Sequence, residues 1–313
     1  ALDGTKVKAN ASRHKAMSYD RMTAEEERLQ KENDELLAKA QAADEDEDDQ
    51  YGEDCRGDEL PEELSRRETR LQKIREAKAA LEEQARQKAA AHVAKLKAEG
   101  RTPRIVPAEA VPKPKDQRNF TDPESKIMKV ANKGFDQCGN AQAVANEDQV
   151  IVSADVTDQA NDTQQVKPMM GQAIENLNEV GVKDNIGVFT ADAGYFSDDN
   201  VACLEVNERI NQAYIATGRM KCGEQAPAVP IGRPPNRLTV KERMARKLRT
   251  KKGRREYARR KVIVEPPFGQ IKQCQGFRQF LLRGLDSMRG EWRLVCLTHN
   301  LLKIFRKGTL FAT

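Results

Sequence analysis

The sequence predicts an α/β fold, in which a mixed sheet is flanked by helices, and three observations lead to this class. Two strand patterns at residues 134–145 and 149–158 flank the turn sequence "NED", which predicts a β-hairpin. A helical pattern follows at residues 162–181, and the short apolar run at residues 186–190 is typical of a strand buried on both faces of a sheet. Strands that alternate with helices in this way build layered α/β domains.

Further elements extend the alternation toward both ends of the chain. They are strands at residues 1–10 and 212–216, a helix at residues 197–210 capped by Ser197, and helices near residues 253–261, 266–282 and 290–306. In the last helix, Trp292, Cys296 and His299 recur at helical spacing, which favours a role in the core over a role in a site.

A long helical hairpin is predicted as an insertion after the first strand. The first strand belongs to residues 1–16, and residues 17–98 carry leucines at heptad spacing on two arms, for example Leu29 and Leu36 on the first and Leu71 and Leu81 on the second. An acidic stretch at residues 44–59 separates the arms and forms the predicted tip. The rest divides into a proline-rich linker (99–120), core strands and helices (121–218), a basic stretch (219–252) and C-terminal helices (253–313).

The net charge of +5 conceals a strong segregation of charge along the chain. Residues 219–261 are crowded with Lys and Arg, and only Glu224, Glu242 and Glu256 oppose them. A basic cluster of that size is typical of a protein that binds a polyanion, whereas a solvated linker can have the same composition. Composition alone leaves both interpretations open.

Cysteine and histidine usage argues against a structural zinc site. The six cysteines form no C-x-x-C pair and only three histidines are present, so we expect free thiols in a reducing cytosol. The sequence contains neither a signal peptide nor an apolar run long enough to cross a bilayer, so we expect no membrane partner. The chain starts without Met inside a strand pattern, and we expect a further N-terminal segment before it.

The stretch "TADAGY" places Asp192 directly after the apolar strand at residues 186–190. Taken alone, Asp192 could cap the following turn or could be a metal ligand. Carboxylates are the hard oxygen ligands that divalent ions need for phosphodiester cleavage, so the choice depends on whether other acids meet Asp192. Among nearby acids, Asp162 is expected to cap the next helix, and Asp155, at the end of its strand with Asp158, is the best substitute ligand.

The order of elements resembles the RNase H-like fold of polynucleotidyl transferases. The stretches "DGT", "ADAGY" and "YARRKVIVEPPFGQIK" are similar to the three acid motifs of DDE-type bacterial insertion-sequence transposases, and the resemblance extends along essentially the whole chain. It implies that Asp3, Asp192 and Glu265 are catalytic residues that bind Mg²⁺ (or Mn²⁺). Each acid alone has an ordinary structural explanation, and it is their occurrence together in this order that favours a site.

The third motif resembles the branch of these transposases with a tyrosine-arginine-glutamate-lysine signature. Tyr257, Arg260, Glu265 and Lys272 match that signature by residue type, but four residues separate Arg260 from Glu265 where the usual pattern has three. Lys261 has the regular spacing from Glu265 and is the alternative basic residue. We expect Tyr257, Arg260, Lys261 and Lys272 to contact DNA. The charge of the basic stretch predicts further phosphate contacts by five of its cations: Arg246, Lys247, Arg249, Lys251 and Lys252.

The resemblance implies a DNA transposase that cleaves and transfers strands at the ends of an insertion sequence. Its expected partners are terminal-repeat DNA, target DNA and a second copy of the chain, in the bacterial cytoplasm and at the nucleoid. Two other hypotheses remain: an RNase H-like nuclease that does not transfer strands, and an inactive remnant that only binds DNA or a protein partner.

Overall fold

The computed structural model describes residues 1–51, 62–130, 134–218, 228–235 and 237–308. The chain divides into two compact units: one comprises Ala1–Ala11 and Glu124–Thr313, and the other comprises Ser12–Pro123. The first unit contains strands and helices in alternation, so the α/β class predicted from the sequence is confirmed.

The strands of the first unit are β1 (Leu2–Lys8), β4 (Lys126–Val130), β5 (Gly134–Ala145), β6 (Ile151–Thr157), β7 (Phe189–Ala191) and β8 (Ala213–Ile215). The long strand β5 is the centre of an antiparallel sheet, because β1, β4 and β6 all pair with it. Strands β7 and β8 form a separate parallel pair, and β7 contacts β1. The carboxyl end of β7, where Asp192 follows, therefore lies in the neighbourhood of β1.

Helices cover this sheet. They are α3 (Val166–Glu179), α4 (Asp198–Val206), α5 (Val240–Arg249), α6 (Lys251–Ala258), α7 (Arg260–Ile263), α8 (Glu265–Gly269) and α9 (Leu285–Gly308). Alternate residues of β5 enter two different apolar clusters, as the two faces of a strand require. Ala141 and Ala143 pack in a cluster with Trp292 of α9, whereas Val144 packs in a cluster with Met169 of α3.

The second unit contains the short strands β2 (Ala16–Ser18) and β3 (Gln117–Asn119) and the helices α1 (Tyr19–Tyr51) and α2 (Glu62–Ala98). Leu29 of α1 packs with Leu71, Ile74 and Leu81 of α2 in one buried cluster. Ion pairs join Glu26 to Lys78 and Arg75, and Glu32 to Arg67. The later residue of α1 pairs with the earlier residue of α2, so the two helices are antiparallel. Residues 52–59 of the predicted acidic tip lie outside the described residues.

The secondary structure differs from the sequence expectations at three places: one predicted helix is shorter, and two elements were not predicted. The helix predicted at residues 266–282 ends with a π-helical turn at Gln270–Cys274, because Gly276 takes a φ of 71°, a left-handed conformation that terminates helices. Strand β4 was not predicted, since only Met128 of its residues is buried and the alternation is weak. Helix α5 was also missed, although Thr239 and Glu242 form a capping box that its sequence contains.

Candidate active site

Asp3 lies on β1 and is held by two hydrogen bonds. The backbone N–H of Gly4 donates to Oδ1 at 2.9 Å, and Nη1 of Arg260 donates to Oδ2 at 2.9 Å. Burial raises the pKa of Asp3 above its ordinary value, the charge of Asp192 raises it further, and Arg260 opposes both effects. Asp3 is therefore a partly buried carboxylate next to a cation that favours its charged form.

Asp192 follows β7 directly and serves as the cap of a short 3₁₀ turn at Ala193–Tyr195. Its Oδ1 accepts a hydrogen bond from the backbone N–H of Gly194 at 2.8 Å. The capping interpretation from the sequence is therefore correct, but it does not exclude the other one. The charge of Asp192 raises the pKa of Asp3 and of Tyr257, so Asp192 also acts electrostatically on both other motifs.

Glu265 is the first residue of α8, and its side chain is 50% exposed. Nη2 of Arg260 lies 3.6 Å from Oε1 of Glu265, while the same guanidinium contacts Asp3. Arg260 thus connects the acid of the first motif to the acid of the third. The three predicted acids share one electrostatic environment that is organised around Arg260.

The structure distinguishes between the two basic residues that the spacing left open. A turn at Arg259 separates α6 from α7, so Arg260 begins α7 and its side chain is only 13% exposed against Asp3. Lys261 is exposed. Tyr257 lies one helical turn before Arg260. Burial raises the pKa of the tyrosine hydroxyl, and the charge of Arg260 opposes that effect. The breaks between these short helices accommodate the extra residue between Arg260 and Glu265.

Lys272 lies in the π-helical turn and connects the third motif to the first. Its Nζ donates a hydrogen bond to Oγ1 of Thr5, which lies two residues beyond Asp3. Burial lowers the pKa of the ammonium group, and Asp3 opposes that effect. π-Turns occur often at functional sites, and here the turn carries the lysine of the signature.

The donor set of this cluster fits a hard divalent cation. Asp3, Asp192 and Glu265 offer carboxylate oxygens, the ligand type that Mg²⁺ and Mn²⁺ prefer, and the charges of Asp3 and Glu265 are met here by a single guanidinium. Among the described residues, no group of three or more His, Cys, Asp or Glu side chains is close enough to hold a metal ion. Arg260 lies between two of the acids instead.

Two other acids are placed differently from the sequence expectations. Asp162 does not cap the following helix, because its side chain accepts from Lys6, Asn140 and Gln142. Asp155, the substitute ligand, is paired with Arg289 at 3.2 Å and Arg293 at 3.6 Å, both on α9. Those two cations hold Asp155 against α9.

The cations of the basic stretch have unequal environments. Nη2 of Arg246 donates to the carbonyls of Ile231 and Gly232, and the ammonium of Lys247 lies 5.0 Å from the centre of the Tyr214 ring. Arg249 is half-buried, whereas Lys251 and Lys252 at the start of α6 are exposed. Residues 219–227 and 236 of this stretch lie outside the described residues.

Comparison with known proteins adds one finding to this geometry. Residues 219–305 match the family model described as the transposase DDE domain, and this segment includes Tyr257, Arg260, Glu265 and Lys272. The match supports a DDE transposase, although it does not extend to Asp3 or Asp192. No curated protein and no solved structure matches the chain. Among the described residues, no helix combines the length and the apolar character that a membrane span requires.

Proposed function

We propose that this chain is the catalytic part of a DDE-type transposase, which cleaves DNA at the ends of an insertion sequence and transfers the strands to target DNA. The observation that carries the proposal is the guanidinium of Arg260 between Asp3 and Glu265, in the electrostatic neighbourhood of Asp192. The family match of residues 219–305 supports the same class of enzyme.

The strand arrangement supports an RNase H-like core. Three antiparallel strands, β6, β5 and β1, are followed by the parallel pair β7 and β8, with β7 in contact with β1. In such an arrangement Asp3 on β1 and Asp192 after β7 come from neighbouring strands. Glu265 at the start of α8 then completes the set from the helical layer.

Asp3, Asp192 and Glu265 would hold the divalent ions, Mg²⁺ or Mn²⁺. When bound, a pair of such ions activates the attacking water or 3′-hydroxyl and stabilises the leaving oxygen. Arg260 offsets part of the negative charge of Asp3 and Glu265 in the free protein, which limits the electrostatic cost of gathering like charges in a partly buried site. Tyr257 lies close enough to Arg260 for the two side chains to interact electrostatically, and Lys272 provides a second cation beside β1.

Lys272 and the basic stretch would contact DNA phosphates. The exposed Lys251 and Lys252 are the cations best placed for this role, and Arg246, Lys247 and Arg249 contribute to a lesser extent because their side chains are partly committed to the protein. The partners are then terminal-repeat and target DNA with a second copy of the chain, and the location is the bacterial cytoplasm and nucleoid.

The decisive test replaces Asp192 by Asn in the full-length protein and follows Mg²⁺-dependent cleavage of a duplex that carries the element end. We expect cleavage to fall by at least about 10³-fold, because one metal ligand is lost, while DNA binding stays the same. The matched control is Asp155→Asn, which changes an acid of β6 that is paired with α9.

Equal cleavage by the wild-type and Asp192→Asn proteins would place the chemistry elsewhere. The same assay separates the other two hypotheses when cleaved ends and target DNA are supplied. Joined donor–target product supports a transposase, cleavage without joining indicates a nuclease, and binding without either indicates an inactive remnant.

A further inference from the structure

Gln142 is a fully buried polar residue directly opposite Gly4, the residue that follows Asp3. The two residues are cross-strand partners in the β1–β5 ladder, and Gln142 is 0% exposed. A Cβ atom at Gly4 would lie 2.3 Å from Nε2 of Gln142, far inside contact distance. A larger residue in place of the glycine of "DGT" would therefore have to displace the Gln142 amide.

The hydrogen bonds of Gln142 fix the orientation of its amide. Nε2 donates to Oδ1 of Asn140 and to Oδ1 of Asp162, both at 2.9 Å, and Oε1 accepts from the hydroxyl of Tyr195. The reversed amide would place its oxygen against two acceptors, one of them a carboxylate. Disrupting a buried amide whose donors are all hydrogen-bonded costs free energy, so the amide is held rigidly.

One partner of Gln142, Tyr195, belongs to the turn that carries Asp192, and another, Asp162, lies beside that turn. Tyr195 is 1% exposed and ends the 3₁₀ turn that Asp192 caps. A Cβ atom at Gly194 would lie 3.1 Å from Oδ1 of Asp192 and 3.5 Å from Oδ2 of Asp162. Asp162 and Asp192 therefore flank the same glycine, and Asp162 is tied in turn to Lys6 of β1 at 3.2 Å.

We propose that Gln142 is a positioning residue that sets the separation of Asp3 and Asp192. One side of its amide packs on the backbone next to Asp3, and the other side holds Tyr195 and Asp162 beside Asp192. This inference rests on the proposed function, since it concerns the same metal site, but it assigns a role to a residue outside the three acid motifs. Residues that orient metal ligands typically affect metal affinity by about 10-fold to 100-fold.

The test measures the affinity of the protein for Mn²⁺ by electron paramagnetic resonance, without DNA, in Gln142→Met. Methionine keeps the length and apolar body of the side chain and removes its hydrogen bonds. We expect Mn²⁺ binding to weaken by about 10-fold. In a cleavage assay, the Mg²⁺ concentration for half-maximal rate should rise by a similar factor while DNA affinity is unchanged.

The matched control is Gln137→Met. Gln137 lies on the same strand, is 2% exposed and also accepts a side-chain hydrogen bond, from Ser125, so its replacement reproduces the structural damage. We expect Gln137→Met to lower thermal stability without changing Mn²⁺ affinity. Tyr195→Phe removes a single hydroxyl from the network and provides a milder second variant if Gln142→Met does not fold.

Three outcomes distinguish the positioning role of Gln142 from the proposed metal site. If Asp192→Asn weakens Mn²⁺ binding and both Gln142→Met and Tyr195→Phe weaken it more than Gln137→Met does, the positioning role is supported. If Asp192→Asn weakens binding but the Gln142 and Tyr195 variants behave like Gln137→Met, the positioning role is wrong and the proposed function stands. If Asp192→Asn leaves Mn²⁺ binding unchanged, the metal site and the inference built on it both fail.

Discussion

At the scale of single residues, the structure shows which of two adjacent basic residues, Arg260 or Lys261, contacts Asp3. Arg260 and Lys261 are both basic and adjacent, and the irregular spacing to Glu265 does not choose between them. The turn at Arg259 directs Arg260 toward Asp3 and leaves Lys261 exposed. A guanidinium also suits this position better than an ammonium, because its planar fork can contact two carboxylates at once.

This difference leads to a prediction about the pKa of Asp3. Arg260 holds that pKa down against burial, so Arg260→Gln should raise it and keep Asp3 protonated to higher pH. Lys261→Gln should leave it unchanged. Carbon-detected magnetic resonance titration of the metal-free protein, with Asp3→Asn to assign the signal, measures both variants. A pKa that falls in Arg260→Gln, or that moves equally in both variants, would contradict the account.

At the scale of elements, the predicted DNA-binding cations of the basic stretch lie on two helices, α5 and the start of α6, and have different environments. Lys247 of α5 lies over the ring of Tyr214 on β8, and burial lowers the pKa of its ammonium group. Lys251 and Lys252 of α6 are exposed. The sequence could not separate them, because both helices are equally rich in cations and only the packing of α5 against β8 decides which cations remain available to DNA.

Replacing Lys251 and Lys252 together by Gln is expected to reduce the salt dependence of DNA binding. If each lysine neutralises one phosphate, the slope of log affinity against log salt should fall by about 2, equally for different DNA sequences. Fluorescence anisotropy at several salt concentrations gives the slope. Lys129→Gln with Lys183→Gln, two exposed lysines outside the stretch, is the control, and an equal loss in that variant would show a nonspecific charge effect.

At the scale of the whole molecule, the sequence predicts the α/β class and most strands, and it misses features that tertiary packing decides. The hairpin of β5 and β6 follows from alternation and a turn signal, whereas β4 is specified mainly by its pairing with β5. The acids could be named because their motifs are local. Gln142 could not, because nothing in "GNAQAVA" shows that its amide will lie over Gly4 and reach Tyr195.

The central claim is that Asp3, Asp192 and Glu265 hold divalent ions, and anomalous diffraction from crystals grown with Mn²⁺ and element-end DNA tests it most directly. The account predicts two Mn²⁺ peaks, roughly 3.5–4 Å apart, ligated by these carboxylates, with Arg260 moved away from its position between Asp3 and Glu265. Mn²⁺ bound only elsewhere, with Arg260 still in contact with both acids, would contradict it.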